Sequence, residues 1–580
     1  MTTARGIPQL SVRAAEVTVA GLVSLVVVAG YLGIAALHGA IGASRNDDWT
    51  YFRSAYRFAA DGIFTPDTST AMIVGHDIIA WPVIQLFGPQ IAPLQIMVAV
   101  LGAVGLWAAY LVIRSVLSPG WSAFSVGCLA LGPVFGILDT SFMTDVPSFT
   151  LQMLTLLAGL LALRGRSLGI GWYAASMLAG VAAFSIREFA VAAPVAVCVA
   201  ALLRAKTNWS RLGWKVVGLT SLCLALGAAL YVWRSGFAGS GAVPFWRAPN
   251  RSAIASIAST IAGPLRAAFT LALFVAPLVP LVSIPRLATS LRASRRIAIL
   301  LGLGGCAIWA GLVWSGDHVV LLGNYMTQSG SYSVTIPGTP PVVIPAGWWT
   351  ALEVLSLASL LLLGFLGLVR AGDFIRSRNA PRSGPALPPD PGRTLVALFS
   401  VTAIGVLGAL QLFTNGTLFD RYLVPIVPFV VALAVRVALD HGLFVRRQSA
   451  VAPIALVVFA GFGIGMVDAS ATFDGAKWQL AQSVEARGYD VASIDGGYEW
   501  FGYHQTGFIA PRPYVPGTNF WVSFFGERPI CVTSRFKDPS RTRPASTGAS
   551  VVSERNARSL LGVEYHLVAV SGPQSCQASQ

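Results

Sequence analysis

The chain has 580 residues, of which 55% are hydrophobic and only 11% are charged. These values lie far from those of soluble globular proteins and predict an integral membrane protein. The formal net charge of +15 is typical of some nucleic-acid-binding proteins, but here the basic residues are thinly dispersed between apolar runs. A positive-inside bias of membrane loops explains that distribution better, so we expect no nucleic-acid partner.

Apolar runs of about 17 to 25 residues are long enough to cross a bilayer as helices. By this criterion we predict a polytopic α-helical membrane protein with about 13 transmembrane helices. The first run is too long for the core of a signal peptide, so we expect it to remain as a span. The runs lie near 17–41, 91–113, 121–138, 146–163, 169–186, 188–203, 213–233, 261–284, 297–315, 347–369, 394–414, 422–440 and 450–467.

Lys and Arg residues are concentrated on the connections that share a side with the N-terminus, whereas most carboxylates of the connections lie on the other side. Cytoplasmic loops retain positive charge, so we expect a multi-pass protein of the cell inner (plasma) membrane with a cytoplasmic N-terminus. An odd number of spans puts the tail outside. We therefore predict a transmembrane domain over 1–468 and a small extracytoplasmic α/β domain over 469–580.

The predicted outer domain contains "AKWQLAQSVEARGYDVASIDGG", which indicates a helix leading into a strand, and two further strand candidates, "RPICVTSRF" and "YHLVAVS". Cys531 and Cys576 lie in this tail and are able to form a disulfide if their separation allows it. The aromatic run Tyr498, Trp500, Tyr503 and His504 fits either sugar stacking or domain packing, and packing is the simpler interpretation.

Two adjacent carboxylates, Asp47 and Asp48, follow the first predicted span. Aspartate is a good helix cap, but one cap needs one carboxylate, so the second is unexplained. An acidic residue at a membrane boundary costs free energy unless something uses or pairs it. The pair therefore indicates an outward-facing polar site.

The stretch after Asp47 predicts an amphipathic helix that lies flat among the lipid headgroups. Its polar side presents Arg53 and Arg57 to lipid phosphates. Its apolar stripe consists of Trp49, Phe52, Tyr56, Ala59 and Ile63.

Three other stretches place charged residues where predicted spans begin. Each has a simple structural explanation: a helix N-terminal acid, a local ion pair or an interface anchor. The stretches are "TDVPSF" with Asp145, "SIREFA" with Arg187 and Glu188, and "FDRYLVPIVP" with Asp420, Arg421 and Tyr422.

In order and spacing, these motifs together with "VGHDIIAWPVIQLFGPQ" resemble the membrane-embedded GT-C glycosyltransferases. The nearest branch is the bacterial one similar to dolichyl-phosphate-mannose protein mannosyltransferases and to aminoarabinose transferases. The resemblance covers roughly residues 15–440. Two features depart from the family: its commoner Asp-Glu pair is Asp47-Asp48 here, and the tail from about 470 matches no known sugar-binding domain.

The resemblance implies an enzyme that transfers a hexosyl or pentosyl group from a polyprenyl-phosphate donor to a glycan, lipid or protein acceptor. Transfer takes place at the outer face of the membrane with inversion at the anomeric carbon. Asp47 would act as the general base and Asp48 would orient the acceptor or hold an arginine. Carboxylates are able to bind a hard cation, but no tight ligand cluster is present. We therefore predict no metal site and no certain cofactor, and leave a divalent cation open.

The resemblance also assigns supporting roles. A guanidinium is permanently charged and bidentate, which suits the donor phosphate. The predicted phosphate ligands are Arg421 first, then Arg187, with Arg53 and Arg57 as contributors. The predicted residues that position the acceptor or support an arginine are Asp145, Tyr422, Glu188 and His76.

The main alternative is a transporter or flippase of lipid-linked sugars. That class favours ionisable groups near the middle of the membrane and broken helices in repeated halves. This chain instead concentrates its charges at one boundary and shows no repeat. A scaffold without catalytic activity would not require the acidic pair.

Overall fold

The structure is a computed structural model, and its side chains and backbone are described for most of the chain. The described residues are 14–64, 71–165, 168–205, 213–236, 253–314, 320–331, 336–379, 390–414, 418–505, 530–537 and 550–571.

The described part of the chain is mostly helical. Its helices are α1 (Ala14–Leu37), α2 (Asp48–Asp61), α3 (Val74–Phe87), α4 (Ile91–Ile113), α5 (Pro119–Ala130), α6 (Phe135–Asp139), α7 (Asp145–Arg164), α8 (Ile170–Phe184), α9 (Ala192–Ala205), α10 (Trp214–Ser235), α11 (Ala253–Val275), α12 (Ile284–Ser290), α13 (Arg295–Trp314), α14 (Ala346–Asn379), α15 (Pro391–Thr414), α16 (Val427–Asp440), α17 (Gln448–Glu485) and α18 (Tyr498–His504).

Each predicted span coincides with a helix or, for 121–138, with two helices. Among the described residues, nine helices are long and apolar enough to cross a membrane. These match nine of the predicted runs, and the remaining runs form shorter helices. The protein is therefore a multi-pass helical membrane protein, while the total number of spans stays a prediction.

Two predicted spans are interrupted for a clear chemical reason. The run 121–138 contains Gly132 and Pro133, and it breaks into α5 and α6 because proline has no backbone N–H and disfavours helix for the residue before it. The run 422–440 starts its α-helix only at Val427, because Pro425 and Pro428 flank that point. The residues before it form a short 3₁₀ turn, Asp420–Leu423.

The predicted amphipathic helix exists as α2, but protein covers much of its apolar stripe. Trp49, Phe52 and Ala59 are buried, whereas Tyr56 and Ile63 are exposed. The helix packs between α3 and α18, and Trp49 forms a small apolar cluster with Phe501. The C-terminal part of the chain therefore packs directly on α2.

The C-terminal part forms a four-stranded sheet, as a small α/β domain requires. Its strands are β1 (Ile494–Asp495), β2 (Val532–Phe536), β3 (Val551–Arg558) and β4 (Glu564–Ser571), in the order β1-β2-β4-β3. β1 is parallel to β2, and the other pairs are antiparallel. β2 falls within one predicted strand candidate, and β4 covers the other and begins one residue before it; β3 was not predicted. Cys531 is disulfide-bonded, and Cys576 lies outside the described residues.

Helix α17 joins the sheet to the membrane helices without a break at the predicted boundary near 468. It packs against α1, α6 and both long strands of the sheet. Asp468 marks this junction, since one carboxylate oxygen lies 2.7 Å from His38 Nε2 and the other accepts a hydrogen bond of 2.6 Å from the Leu560 amide. The division into two domains stays a prediction.

Glycines allow α17 to approach neighbouring backbone closely. A Cβ added to Gly475 would collide with the carbonyl of His38, at the end of α1, whereas a Cβ on Gly461 would meet nothing within 4 Å. We therefore predict that Gly475→Ala destabilises the protein by about 1–3 kcal/mol, as overpacking does.

Thermal unfolding of the purified protein in detergent tests this. Gly461→Ala on the same helix is the matched control, and its higher helix propensity should leave the midpoint unchanged or raised. Equal midpoints for the two variants would contradict the proposed close packing of α17 on α1.

Candidate active site

The site is built on the turn Arg45–Asp48, which connects the end of α1 to α2. Asn46 has a φ of 54°, a left-handed conformation that asparagine tolerates better than most residues. Its side-chain amide donates hydrogen bonds to the Tyr325 hydroxyl at 3.2 Å and to Asp47 Oδ2 at 3.4 Å. The strained turn thus fixes where the next residue points.

Asp47 occupies the N-cap position of α2, but its carboxylate makes no capping hydrogen bond. The simple explanation for this residue, a helix cap, therefore fails. Asp47 Oδ2 instead lies 3.8 Å from Arg421 Nη1, and 30% of the Asp47 side chain is exposed. The carboxylate is both close to a cation and accessible.

Arg421 lies on the turn Asp420–Leu423, where Asp420 fixes the backbone. Asp420 is fully buried. One of its oxygens accepts the Arg421 amide at 2.7 Å, and the other accepts the amides of Tyr325 and Met326 at 2.9 and 2.8 Å. One carboxylate therefore ties the turn before α16 to the segment that carries Tyr325.

Three aromatic rings surround the Arg421 guanidinium. Its central carbon lies 5.2 Å from the ring centre of Phe419, 5.6 Å from that of Tyr422 and 5.9 Å from that of Tyr325. Such contacts stabilise the cation while leaving its N–H groups directed elsewhere. Tyr422 is thus placed beside Arg421, as the predicted supporting role requires.

Arg187 and Asp145 form a second buried ion pair near the first. Arg187 Nη2 donates to Asp145 Oδ2 at 3.1 Å and to the Tyr51 hydroxyl at 3.3 Å. The two charged side chains are only 7% and 2% exposed. Asp145 therefore supports an arginine, one of the two roles predicted for it.

The electrostatic environment raises the pKa of Asp47 above its ordinary value. Burial is the main cause, and the positive charges of Arg421 and Arg187 partly offset it. A carboxylate with a raised pKa is a stronger base than an ordinary aspartate. Its accessibility distinguishes Asp47 from Asp48, Asp145 and Asp420, which are buried.

Asp48 differs from Asp47 because it is completely buried. Its Oδ2 accepts hydrogen bonds from the amides of Phe142 at 3.0 Å and Arg45 at 3.3 Å. Burial raises its pKa to about 8. Asp48 thus joins the Asn46 turn to the segment before α7, and its role in orienting the acceptor or holding an arginine stays a prediction.

Arg53 is not directed at lipid phosphates or at Asp47, in contrast to the prediction. It is buried, and its Nη1 donates to the carbonyls of Gly502 at 3.2 Å and Gln505 at 2.9 Å. It therefore ties α2 to α18. Arg57 lies one turn farther along α2, away from Asp47, and is half-buried.

His76 and Glu188 stand behind the site. His76 is fully buried and stacks on Phe142 at 4.3 Å, with its edge toward Tyr51 at 5.9 Å. Glu188 accepts a hydrogen bond from the Met72 backbone. The supporting roles predicted for His76 and Glu188 stay predictions.

Sequence patterns did not single out several residues that build the site. Tyr51 and Tyr325 are ordinary aromatic residues in the sequence, and Asn46 carries no motif of its own. Glu499 accepts a hydrogen bond of 3.3 Å from the backbone amide of Asn46, although the two residues are far apart in the chain. No local signal links such residues, because only the folded chain brings them together.

The carboxylates of the site do not gather into a metal-binding cluster. Throughout the described ranges, no group of three or more His, Cys, Asp or Glu side chains could hold a metal ion. A dependence on a divalent cation is therefore left open.

By its fold and its site, this protein belongs to the class of polytopic membrane proteins whose charged side chains meet at helix ends. The family model for dolichyl-phosphate-mannose-protein mannosyltransferase matches residues 74–233. The match confirms the predicted resemblance to GT-C glycosyltransferases. The matched segment contains Asp145 and Arg187, but neither Asp47 nor Arg421.

Solved structures of glycosyltransferases are also similar to the chain. ArnT from Cupriavidus metallidurans bound to undecaprenyl phosphate is 14% identical with a TM-score of 0.40, and the alignment covers 98% of this chain and 100% of that one. The Archaeoglobus fulgidus oligosaccharyltransferase in complex with Zn and sulfate is 13% identical with a TM-score of 0.42, covering 87% of this chain and 59% of that one.

A third structure is the S. cerevisiae protein O-mannosyltransferase Pmt1-Pmt2 complex bound to the sugar donor. It is 15% identical with a TM-score of 0.32, over 40% of this chain and 35% of that one. No curated protein matches the chain. The predicted enzyme class, glycosyltransferase, is the class of the family model and of these structures. At such identities and scores the similarities leave the roles of individual residues open.

The raised pKa of Asp48 predicts a pH-dependent contribution to stability. Its folded pKa of about 8 exceeds the ordinary value near 4. The contribution of Asp48 is therefore fully present below pH 4 and is lost as the pH rises through about 8. Asp48→Asn, which resembles the protonated acid, should flatten this dependence.

Thermal unfolding between pH 5 and 9 tests this. Asp48→Ala, which leaves the Phe142 and Arg45 amides without this acceptor, should cost about 1–3 kcal/mol. A pH dependence of the Asn variant identical to that of the wild type would contradict a buried, protonated Asp48.

Proposed function

We propose that the protein transfers a sugar from a polyprenyl-phosphate donor to an acceptor at the outer face of the cytoplasmic membrane, with inversion at the anomeric carbon. The observation that carries the proposal is the contact between the accessible Asp47 and the aromatic-lined Arg421, with Arg187 nearby. The family match over residues 74–233 supports the enzyme class. The identity of the sugar and of the acceptor is not part of the proposal.

Asp47 acts as the general base. The acceptor hydroxyl must lose its proton as it attacks the anomeric carbon, and Asp47 is the site carboxylate that is both exposed and close to a cation. The proton passes to the Asp47 carboxylate, the new glycosidic bond forms, and the bond to phosphate breaks. A single displacement with one base inverts the anomeric centre.

Arg421 and Arg187 bind the donor phosphate. A phosphate is already a weak base, so it needs positive charge more than a proton in order to leave. The rings around Arg421 and the Asp145–Arg187 pair hold the two guanidinium groups before the donor arrives. Arg53 has no such role in this proposal, because it ties α2 to α18.

A groove between α8, α9 and α10 offers a place for the isoprenoid tail of the donor. It encloses a cavity of about 420 Å³, and its walls are largely apolar side chains such as Met177, Val181 and Leu224. Val191, four residues after Arg187 in the chain, is one of the residues that line it. A lipid tail in this groove would therefore begin close to the proposed phosphate ligands.

We predict that Asp47→Asn lowers kcat by roughly 10²- to 10⁴-fold, the usual contribution of a general base. Donor binding should remain, because the arginines are unchanged. The assay incubates purified protein with radiolabelled polyprenyl-phosphate sugars and membrane extract, and follows label that moves to acceptor. Product formation also distinguishes transfer from mere transport of the donor.

Asp61→Asn is the matched control, because Asp61 ends the same helix and is exposed. This variant should retain wild-type kcat. Full activity of Asp47→Asn, or no transfer by the wild type with any donor, would refute the proposal.

Arg421→Gln should weaken donor binding by roughly 10- to 100-fold, as expected for losing hydrogen bonds to a charged group. The change also removes a charge that lowers the pKa of Asp47. That pKa should therefore rise, and the acidic limb of the kcat profile should move to higher pH.

Donor titrations and pH–rate profiles measure both effects. Arg436→Gln on α16 is the control, because Arg436 pairs with Asp440 at the other end of that helix. An unchanged acidic limb in Arg421→Gln would show that Asp47 is not the titrating base.

A further inference from the structure

We propose that Glu499, in the C-terminal part of the chain, is a positioning residue for Asp47 and acts through the Asn46 turn. The inference rests on the proposed role of Asp47 as the general base. It goes beyond that role because it makes the C-terminal part a component of the catalytic centre rather than an appended domain.

Glu499 lies in the first turn of α18 and is completely buried. Its Oε1 accepts a hydrogen bond of 3.3 Å from the backbone amide of Asn46, while its Oε2 lies 2.7 Å from Lys477 Nζ. Lys477 is also buried and belongs to α17. The two oxygens of Glu499 therefore have separate roles. One accepts the backbone amide of the Asn46 turn, and the other pairs with Lys477 of α17.

The ion pair continues into a buried chain of alternating charges. Lys477 Nζ lies 4.0 Å from one oxygen of Asp474, and the other oxygen of Asp474 lies 2.8 Å from Arg45 Nε. Arg45 directly precedes Asn46. These charged side chains therefore contact the turn at two places. Asp474 pairs with the Arg45 side chain, and Glu499 accepts the backbone amide of Asn46.

Burying four charges in this way is a poor route to stability. The desolvation of a buried ion pair offsets much of its attraction, and well-packed apolar replacements are often equally stable. Such pairs are better explained by the geometry that they impose. Here the imposed geometry is that of a turn with an asparagine at a φ of 54°.

Asn46 connects Glu499 to the proposed base, Asp47. Its backbone is held by Glu499, and its side-chain amide donates to Asp47 Oδ2 at 3.4 Å and to the Tyr325 hydroxyl at 3.2 Å. Tyr325 is one of the rings around Arg421. A turn released from Glu499 would therefore shift Asp47 relative to the guanidinium.

Contacts on the neighbouring residue place α18 beside the base. Tyr498 meets Trp49 edge-to-face at 5.4 Å. Burial raises the pKa of Tyr498, and the charge of Asp47 raises it further. The beginning of α18 therefore forms one wall of the site around Asp47.

Two double variants test the role of the acceptor oxygen while removing the same charges. Lys477→Met with Glu499→Gln keeps a side-chain oxygen for the Asn46 amide, whereas Lys477→Met with Glu499→Leu does not. We expect kcat of the Leu double variant to be roughly 10- to 100-fold below that of the Gln double variant, because small displacements of catalytic groups have effects of this size. KM for the donor should be the same in both.

Thermal unfolding and polyprenyl-phosphate binding show whether both variants are folded. If either double variant is unfolded, Glu499→Gln and Glu499→Leu as single changes replace them in the same comparison. Lys537→Met with Glu554→Gln removes an exposed ion pair of 2.8 Å in the same C-terminal part and should leave kcat at the wild-type value.

The outcomes separate this inference from the proposed function. Equal kcat in the Gln and Leu variants, with Asp47→Asn still inactive, overturns the role of Glu499 and leaves the sugar transfer intact. Full activity of Asp47→Asn overturns the proposed function itself. A loss of kcat confined to the Leu variant, at constant KM, supports positioning of the base.

Discussion

Asp47 and Arg421 approach each other to 3.8 Å, although one follows the first helix and the other precedes α16. A charged group at a membrane boundary is costly unless an opposite charge or hydrogen bonds compensate it. The ends of the helices that carry these groups must therefore converge on one place. The Asp420–Leu423 turn, the Asn46 turn and α18 supply contacts to these two residues or to their neighbours.

The carboxylates of the site differ in which groups compensate their charge, and these differences indicate different roles. Both oxygens of Asp420 and one oxygen of Asp48 accept hydrogen bonds from backbone amides, and both residues are fully buried. Asp145 holds Arg187. Asp47 has only long contacts and a 30% exposed side chain, so it is the carboxylate best able to accept a proton from a substrate.

The C-terminal part is connected to this boundary by buried polar contacts as well as by α17. Arg53 donates to the carbonyls of Gly502 in α18 and of Gln505 after it, and Glu499 accepts the backbone amide of Asn46. These contacts cross the predicted domain boundary near 468. Buried contacts thus connect the two predicted domains, and the division between them stays a prediction.

Hydropathy by itself determined the helices, because a span must bury about 20 apolar residues and leaves a long, unmistakable run. Adjacent acids and helix-end arginines, together with the resemblance to GT-C enzymes, predicted Asp47, Asp145, Arg187 and Arg421 as residues of one site. Only the tertiary structure decided that Asp48 faces backbone amides and that Arg53 faces α18, since pairing depends on neighbours distant in the chain. The mostly polar strand β3 was not predicted for the same reason. It pairs with β4, and without its partner such a strand has little sequence pattern of its own.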